Sequence, residues 1–286
     1  MSFIKRIKGE NKIILEKYQG ENLNDGYLNE PISDDNNQIN ICFLDLETTG
    51  KNKDQDKIIE IAMKTIRIDK NNGDFIGVVD SYESFQDPGS PINPMATKFN
   101  GIKDEMVKDH SIDWTRVKEV YQKSDLAVAH NSYFDRAFMD RYIEHRIPWG
   151  CSLNDIDWLD RGFTNSKLEL LCIWHGFFFE AHRAMNDVDA LINLLIHDEY
   201  KENKPITELI QNARTPNYEV TLSFPYDREV IEKIKEIGGY RWDANIKKWW
   251  ATCKDWNQVS EITKDLPDGV GHDAVKASPF EKYRHR

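Results

Sequence analysis

The chain has 286 residues and a formal net charge of −11, with 40% apolar and 30% charged side chains. This length predicts two ordered units, one main domain with smaller appendages, and this apolar content is enough for a core. No apolar run approaches the roughly 20 residues that cross a bilayer, which excludes a transmembrane helix and indicates a soluble globular protein.

The negative charge is uneven, so it does not exclude a nucleic-acid substrate. Residues 1–200 hold 23 basic and 35 acidic side chains, whereas residues 201–286 hold 15 and 14. A carboxylate-lined metal site would tolerate an acidic first block, because bound divalent cations offset the repulsion. An ordinary acidic surface, however, explains most of the excess.

The cysteines and the N-terminus bear on the compartment. The first residues lack the apolar core of a signal peptide, and we expect a cytoplasmic protein. The cysteines are widely separated and have neither disulfide-framework nor zinc-ligand spacing; they are Cys42, Cys151, Cys172 and Cys253.

The first predicted elements are a flexible segment and three strands. Residues 1–38 are polar, and we expect them to be mostly flexible. Ile39–Leu44 is an apolar run that predicts a buried strand. Residues 57–68 alternate apolar and polar side chains, and residues 75–85 continue the pattern after an Asn-Gly-containing turn. A three-stranded meander is expected.

The chain then changes to alternating strands and helices. We predict helical pieces over 95–107, helices over 112–123, 133–145, 166–175 and 184–200, a strand over 125–130, and a short strand or turn over 152–159. The Pro-containing stretch 203–216 holds a short helix and is interpreted as a linker between domains.

Two acids follow the first strand. The period of two in a strand places Asp45 and Glu47 on one face, where a pair of buried carboxylates is costly unless it is neutralised. Hard divalent cations with oxygen ligands are the usual compensation. Taken alone, the pair is a weak signal and is more typical of a loop edge than of a metal site.

Two later stretches add candidates. Asp135 stands at the start of a helix that follows a strand, where an acid more often matches the helix dipole. His182 precedes another helix, and Asp187 lies about one turn inside it. A histidine at a helix start is usually structural, and Asp189 or Asn186 could equally be solvated residues of the helix face.

The three stretches together resemble one family. DLETTG, AHNSYFDRAFMDR and HRAMNDVDAL occur in this order and are similar to the three motifs of the DnaQ-like DEDDh exonucleases, the middle one resembling the proofreading subunit of bacterial DNA polymerase III. The resemblance covers roughly residues 38–200. It includes a helical insert over 91–107, in which Asn100 stands where relatives often have histidine.

The resemblance implies a fold and a set of roles. It implies an α/β, RNase H-like exonuclease fold with a mixed five-stranded sheet flanked by helices. Asp45, Glu47, Asp135 and Asp187 would bind two Mg²⁺ or Mn²⁺ ions, and His182 would be the general base. The terminal nucleotide would be held around four further residues, which are Leu46, Thr48, Asn131 and Phe134.

The last part of the sequence predicts a small α+β module. A strand over 218–222, a helix over 227–237 and an aromatic, basic hairpin resemble the HARP domain of annealing helicases. Exposed Lys254 and five hairpin residues are candidates for nucleic-acid contact, the five being Arg241, Trp242, Lys247, Lys248 and Trp249. Alternatively, the aromatic side chains Tyr240, Trp242, Trp249 and Trp256 form the core of the module.

The predicted organisation is therefore a flexible segment (1–38), an exonuclease domain (39–202), a linker (203–216), a HARP-like module (217–264) and a loosely ordered tail (265–286). The predicted function is 3′→5′ hydrolysis of DNA, with a single strand or a 3′ end as the partner and nucleoside 5′-monophosphates as the product. RNA is the alternative substrate, as for oligoribonuclease-like relatives. A non-catalytic nucleic-acid-binding adaptor is the alternative outside enzymes.

Overall fold

The computed structural model describes residues 6–7, 12–20, 23, 28, 37–144, 146–243 and 247–284. The predicted hairpin turn at 244–246 and most of the segment 1–38 lie outside these residues. Among the described helices, none has both the length and the apolar character to cross a membrane.

The described strands, in chain order, are β1 (Arg6–Ile7), β2 (Lys12–Ile13), β3 (Glu16–Lys17), β4 (Gln38–Thr48), β5 (Ile58–Asp69), β6 (Phe75–Phe85), β7 (Leu126–Ala129), β8 (Trp149–Cys151), β9 (Phe177–Phe178), β10 (Asn217–Ser223), β11 (Arg241–Asp243), β12 (Lys248–Cys253) and β13 (Gly271–Ala277). The described helices are α1 (Pro94–Asn100), α2 (Asp104–Val107), α3 (Trp114–Gln122), α4 (Ser132–Met139), α5 (Leu168–Trp174), α6 (Ala184–Ile196), α7 (Pro205–Arg214), α8 (Arg228–Ile237) and α9 (Trp256–Thr263).

A five-stranded sheet in the order β6-β5-β4-β7-β8 forms the centre of the first domain. β4 is antiparallel to β5 and parallel to β7, so the sheet is mixed. Alternate residues of β4 enter two cores: Phe43 packs with α6 and α7 on one face, and Leu44 packs with α3 and α4 on the other. A strand covered on both faces needs a nearly continuous apolar sequence, which β4 has. The predicted RNase H-like α/β fold is confirmed.

Several boundaries differ from those predicted. The fifth strand is β8, and residues 152–159 form turns outside the sheet. Asp155 explains the end of the strand, because its carboxylate accepts the backbone N–H of Cys151 at 2.8 Å and closes a turn there. α4 ends at Met139 and α6 at Ile196, several residues earlier than their apolar stripes suggest.

The predicted linker is part of the exonuclease domain. Most of it is α7, whose side chains Ile206, Leu209 and Ala213 are buried in the main core. Gly150 of β8 lets this helix approach, since a Cβ at that position would lie 2.9 Å from Leu209. An amphipathic helix docked on a sheet edge cannot act as a free spacer.

One described part of the N-terminal segment, residues 16–18, packs against the exonuclease domain. β3 pairs in parallel with β9, with Glu16 opposite Phe177. The ring of Tyr18 contacts the ring of Phe177 edge-on, with centroids 5.5 Å apart. These contacts cover the otherwise open strand β9.

A second sheet, in the order β11-β12-β10-β13, forms the C-terminal module. Its last strand overturns the prediction of a loosely ordered tail, because β13 pairs with β10 along its whole length. Without β13, the N–H and C=O groups on that side of β10 would be unpaired. Residues 278–284 then return to the exonuclease domain, where Lys282 and Tyr283 are buried.

The two faces of this second sheet have different partners. Val220 and Ala251 pack beneath α8 and α9. On the opposite face, the ring of Trp250 lies 4.5 Å from that of Tyr133, on α4 of the exonuclease domain. Arg241 donates to the side chain of Asn154 at 2.9 Å. The module is thus attached to the helix that carries Asp135.

Candidate active site

The end of β4 places two acids toward one cavity. Asp45 and Glu47 are two residues apart in the strand, so both side chains project from the same face, while Leu46 between them belongs to the core. The register with β5 shifts immediately after Glu47. This irregularity ends the regular pairing where the acidic side chains stand.

Two helices bring the other acids to the same edge. β7 runs parallel to β4, so α4 begins beside the end of β4 and carries Asp135 in its first turn. Asp187 lies in the first turn of α6 and accepts the backbone N–H of Arg183 at 3.1 Å. Both positions are favourable for a negative charge, because helix N-termini carry a partial positive charge.

The structure brings all the predicted exonuclease residues to one cavity of about 780 Å³. One carboxylate oxygen from each of Asp45, Glu47 and Asp187 lies within 4.8 Å of the others. Asp135 lines the same cavity, and among the described residues its buried Oδ1 has no hydrogen-bond partner. The remaining lining residues that were predicted are Leu46, Thr48, Asn131, Phe134 and His182.

The acids of this cavity raise one another's pKa. Burial is the main cause, and it raises the pKa of Glu47 from its ordinary value of 4.5 to about 7. Burial and the repulsion from Asp187, Asp135 and Glu47 raise the pKa of Asp45 well above its usual range. The pKa values of Asp135 and Asp187 rise too, again mainly through burial. The cluster therefore needs a cation for all four acids to be charged at neutral pH.

The donor set fits a hard divalent cation. The ligands are carboxylate oxygens only, and Asp135 contributes a buried oxygen that no described protein group satisfies. Mg²⁺ and Mn²⁺ prefer oxygen ligands, whereas zinc sites usually include nitrogen or sulfur. The cluster can therefore hold divalent ions of this class.

His182 stands at the cavity edge in an unusual backbone conformation. Its φ is 66°, in the left-handed region that a non-glycine residue seldom adopts. Its imidazole lies beside the ring of Phe99, with the ring centroids 4.1 Å apart. Phe99 is 65% exposed and Met95, on the same helix α1, is 71% exposed. These two side chains form an apolar wall of the cavity that the sequence analysis did not identify.

Glu60 is a second residue that the sequence analysis missed. It lies on β5 opposite Glu47, and it accepts from the guanidinium of Arg183 at 2.9 Å and from the backbone N–H of Ala184 at 3.1 Å. The N-cap residue of α6, Arg183, makes no side-chain capping hydrogen bond. Glu60, which lies on β5, caps the helix instead. A charge within the apolar run Ile58–Ala62 was the available signal.

Asn100 is the third such residue. In the sequence it is distinguished only as a departure from the usual histidine. Its side chain hydrogen-bonds to Glu47 and holds the pKa of that carboxyl lower than burial alone would. Its Oδ1 accepts the backbone N–H of Ile102 at 3.0 Å. Asn100 therefore fixes one acid of the cluster relative to the helical insert.

The predicted residues of the C-terminal module do not line this cavity. Arg241, Lys247 and Lys248 are exposed, Trp242 is 52% exposed, and Trp249 is half-buried. Arg241 is linked to the cavity wall, because its hydrogen-bond partner Asn154 follows Leu153, which lines the cavity.

Comparison with protein families places this site in context. The family described as "Exonuclease" (RNase_T) matches residues 42–195, more than half of the chain. This match includes every residue of the cavity that the sequence analysis predicted and leaves the C-terminal sheet outside it.

Curated relatives share the same region. The chain is 29% identical over 202 residues, 63% of its length, to DNA polymerase III PolC-type from Bacillus subtilis (strain 168), and 36% identical over 159 residues, 52% of its length, to that of Listeria monocytogenes. The matched regions are 13% and 10% of those proteins, so the chain spans only about a tenth of the length of the curated relatives it matches.

Solved structures with similar architecture include two exonucleases. Exonuclease X in complex with 5′ overhanging duplex DNA is 24% identical, with a TM-score of 0.41, covering 58% of this chain and 99% of that one. The metal-free form of the E. coli ExoI–ssDNA complex is 17% identical, with a TM-score of 0.48, covering 63% and 47%.

Proposed function

The chain belongs to this exonuclease family, and we propose that it removes nucleotides from the 3′ end of DNA as nucleoside 5′-monophosphates. One observation carries the proposal: four carboxylates from three separated stretches and the imidazole of His182 meet in a single cavity. A protein that only bound nucleic acid would have no need for such a costly set of acids.

The acids would hold two Mg²⁺ or Mn²⁺ ions, with Asp45, Glu47, Asp135 and Asp187 as the ligands. When bound, such ions lower the pKa of a water molecule and stabilise the negative charge on the attacking and leaving oxygens of a phosphodiester. The raised pKa values of the four acids support this assignment, since bound cations would restore their charged forms.

His182 is the proposed general base. A histidine can accept a proton near neutral pH, and this one stands at the edge of the acidic cavity without being one of the clustered ligands. Glu60 contacts Arg183 and Ala184, the two residues that follow His182, and so holds the backbone next to the histidine. The imidazole would therefore be positioned before the substrate arrives.

The remaining lining residues would hold the terminal nucleotide. Asn131 is exposed at the cavity and offers polar groups, and Phe134 offers an aromatic face. Leu46 and Thr48 contribute the wall beside Asp45 and Glu47. Phe99 adds an exposed ring that can stack on a base.

We propose DNA rather than RNA as the substrate, because the similar curated proteins are named as DNA polymerases. In the C-terminal module, exposed Arg241, Lys247 and Lys248 would contact the phosphates of the same strand. The HARP resemblance of this module stays a prediction.

The four cysteines are free and buried, which fits a cytoplasmic location with reduced thiols.

The test is hydrolysis of 5′-labelled DNA and RNA strands in Mg²⁺. We expect a ladder shortening from the DNA 3′ end, with monophosphates as the product. Asp45→Asn should lower the rate by about 10³-fold or more, and His182→Ala by about 10²- to 10⁴-fold. Exposed Asp198→Asn is the control and should leave the rate unchanged.

Two outcomes would contradict the proposal. Degradation of RNA alone would make the polymer assignment wrong. Failure to shorten either polymer in Mg²⁺ or Mn²⁺ would favour the adaptor alternative.

A further inference from the structure

A second cleft lies in the C-terminal module, away from the carboxylates. It has a volume of about 530 Å³ and runs between the β11–β12 hairpin and the segment that joins β10 to α8. Its walls include Phe224, Tyr226, Trp242, Lys247 and Lys248. We call this feature the hairpin cleft.

The aromatic side chains of the hairpin cleft are exposed to an unusual extent. Tyr226 is 87% exposed and Trp242 is 52% exposed. Trp249, half-buried on the neighbouring strand, supports Trp242 with ring centroids 5.9 Å apart. A small module gains most from burying its large rings, so rings left open at a cleft indicate a ligand with flat apolar faces.

The charges of the cleft indicate the rest of the ligand. Lys247 and Lys248 are exposed at its edge. No acidic side chain is among the described residues that line the cleft. Aromatic faces next to exposed ammonium groups match a single-stranded nucleic acid, whose bases stack and whose phosphates are negative.

The edge strand β11 connects this cleft with the catalytic cavity. Successive residues of a strand face opposite sides, and here Arg241 faces the exonuclease domain while Trp242 faces the hairpin cleft. Arg241 bonds to Asn154, next to Leu153 of the catalytic cavity. A strand with its 3′ end among the carboxylates can therefore pass over Arg241 and round this edge.

We propose that the hairpin cleft binds unpaired bases of the DNA strand that is being degraded, on the 5′ side of its reacting end, with Tyr226 and Trp242 as stacking platforms. This inference rests on the proposed exonuclease function for the direction of the strand. The binding itself does not depend on hydrolysis. The cleft would retain the substrate while successive nucleotides are removed.

The test is binding of a fluorescein-labelled oligodeoxythymidylate of about 20 nucleotides, measured by anisotropy in EDTA so that no hydrolysis occurs. We expect Trp242→Ala and Tyr226→Ala each to weaken binding by about 5- to 100-fold, as expected for loss of a stacking platform. Trp242→Phe should retain most of the affinity. Both residues are exposed enough for the variants to fold.

Trp256→Ala is the matched control. Trp256 is 54% exposed in the same module, but it lies on α9 beside Tyr218 and outside the hairpin cleft. It should bind the oligonucleotide like the wild type. Unchanged affinity in Trp242→Ala and Tyr226→Ala would overturn the proposal. An equal loss for blunt duplex DNA would also overturn it, because paired bases offer no free faces.

Hydrolysis of a trinucleotide separates this inference from the proposed function. A trinucleotide is too short to occupy both sites, so Trp242→Ala should cleave it at the wild-type rate while degrading the long strand more slowly. If the wild type cleaves neither substrate, the exonuclease proposal fails, and the anisotropy data still decide whether the cleft binds single strands.

Discussion

Two clusters of buried charged groups include adjacent residues of α4. One is the carboxylate cluster of the catalytic cavity, and the other lies beneath the C-terminal segment, residues 278–284. Asp135 faces the cavity, and its Oδ1 has no partner among the described residues. Arg136, the next residue, is fully buried and donates to the backbone carbonyls of Phe280, at 2.7 Å, and Lys282. Lys282 in turn lies 3.5 Å from Asp155.

Burial is costly in both regions. It raises the pKa of Asp155 and lowers that of Lys282, so even the paired charges are penalised. The difference is in the compensation. Beneath the C-terminal segment the protein supplies the partners, whereas the four acids of the cavity have each other as close neighbours. Arg183, whose charge lowers the pKa of Glu47, is already bonded to Glu60. The first region stabilises the fold, and the second keeps its compensation for a ligand.

Removing Arg136 should have the largest effect on stability. Arg136→Ala removes the donor to the carbonyls of Phe280 and Lys282, of which the second bond is buried, and opens space beside Trp149, whose ring the guanidinium faces. We expect a loss of about 3–5 kcal/mol in the free energy of unfolding. Urea denaturation measures it. Arg146→Ala, at an exposed position, should change it by less than about 0.5 kcal/mol. A similar small change in both variants would show that the segment 278–284 is not held by Arg136.

The pH dependence of the metal-free protein should reveal the uncompensated acids. Because the pKa of Glu47 rises from 4.5 to about 7, the folded state binds a proton that the unfolded chain has lost, and stability falls as pH rises through this window. The loss is roughly 3 kcal/mol for this group. Thermal denaturation in EDTA near pH 5 and pH 8 measures it.

Added Mg²⁺ provides the control for that measurement. It should raise the melting temperature strongly near pH 8 and weakly near pH 5, where protons compete for the same oxygens. Equal stabilisation at both pH values would contradict a carboxylate site for the ion.

Asp45→Asn should stabilise the metal-free protein while removing its activity. The substitution deletes one charge from a cluster in which Glu47, Asp135 and Asp187 all raise the pKa of Asp45. We expect a gain of about 2 kcal/mol near pH 8 in EDTA, and little gain near pH 5. Denaturation of both proteins at the two pH values checks this. A loss of stability at pH 8 would mean that the protein itself compensates the cluster.

Glu60→Gln should have the smallest effect, because the amide oxygen can still accept from Ala184 while the ion pair with Arg183 is lost. We expect kcat to fall by about tenfold with little change in KM, as for other groups that orient a catalytic residue. If the loss of the ion pair with Arg183 displaces His182, the pH profile of kcat should shift as well. A change in KM alone would assign Glu60 to substrate binding instead.

The sequence predicted local features well because they depend on short-range patterns. The apolar run before Asp45 predicted β4, and the alternation after it predicted β5 and β6. The sequence of the C-terminal module showed which aromatic residues could form its core or bind a ligand, but not which does which. In the structure, Tyr240 is buried and Trp249 half-buried, whereas Trp242 and Trp256 are exposed. Periodicity cannot tell which face of a small sheet is covered by helices.

The sequence by itself determined the three-stranded meander followed by alternating strands and helices, the placement of the four acids and His182 at element ends, and the family. Only the tertiary structure decided that α7 belongs to the core, that β13 completes the second sheet, and that Arg136 holds the C-terminal segment. Those features depend on contacts between residues far apart in the chain, such as Arg136 with Lys282 and Glu60 with Ala184. No local pattern encodes a partner more than a hundred residues away, because the free energy of such a contact arises only when both elements are already packed.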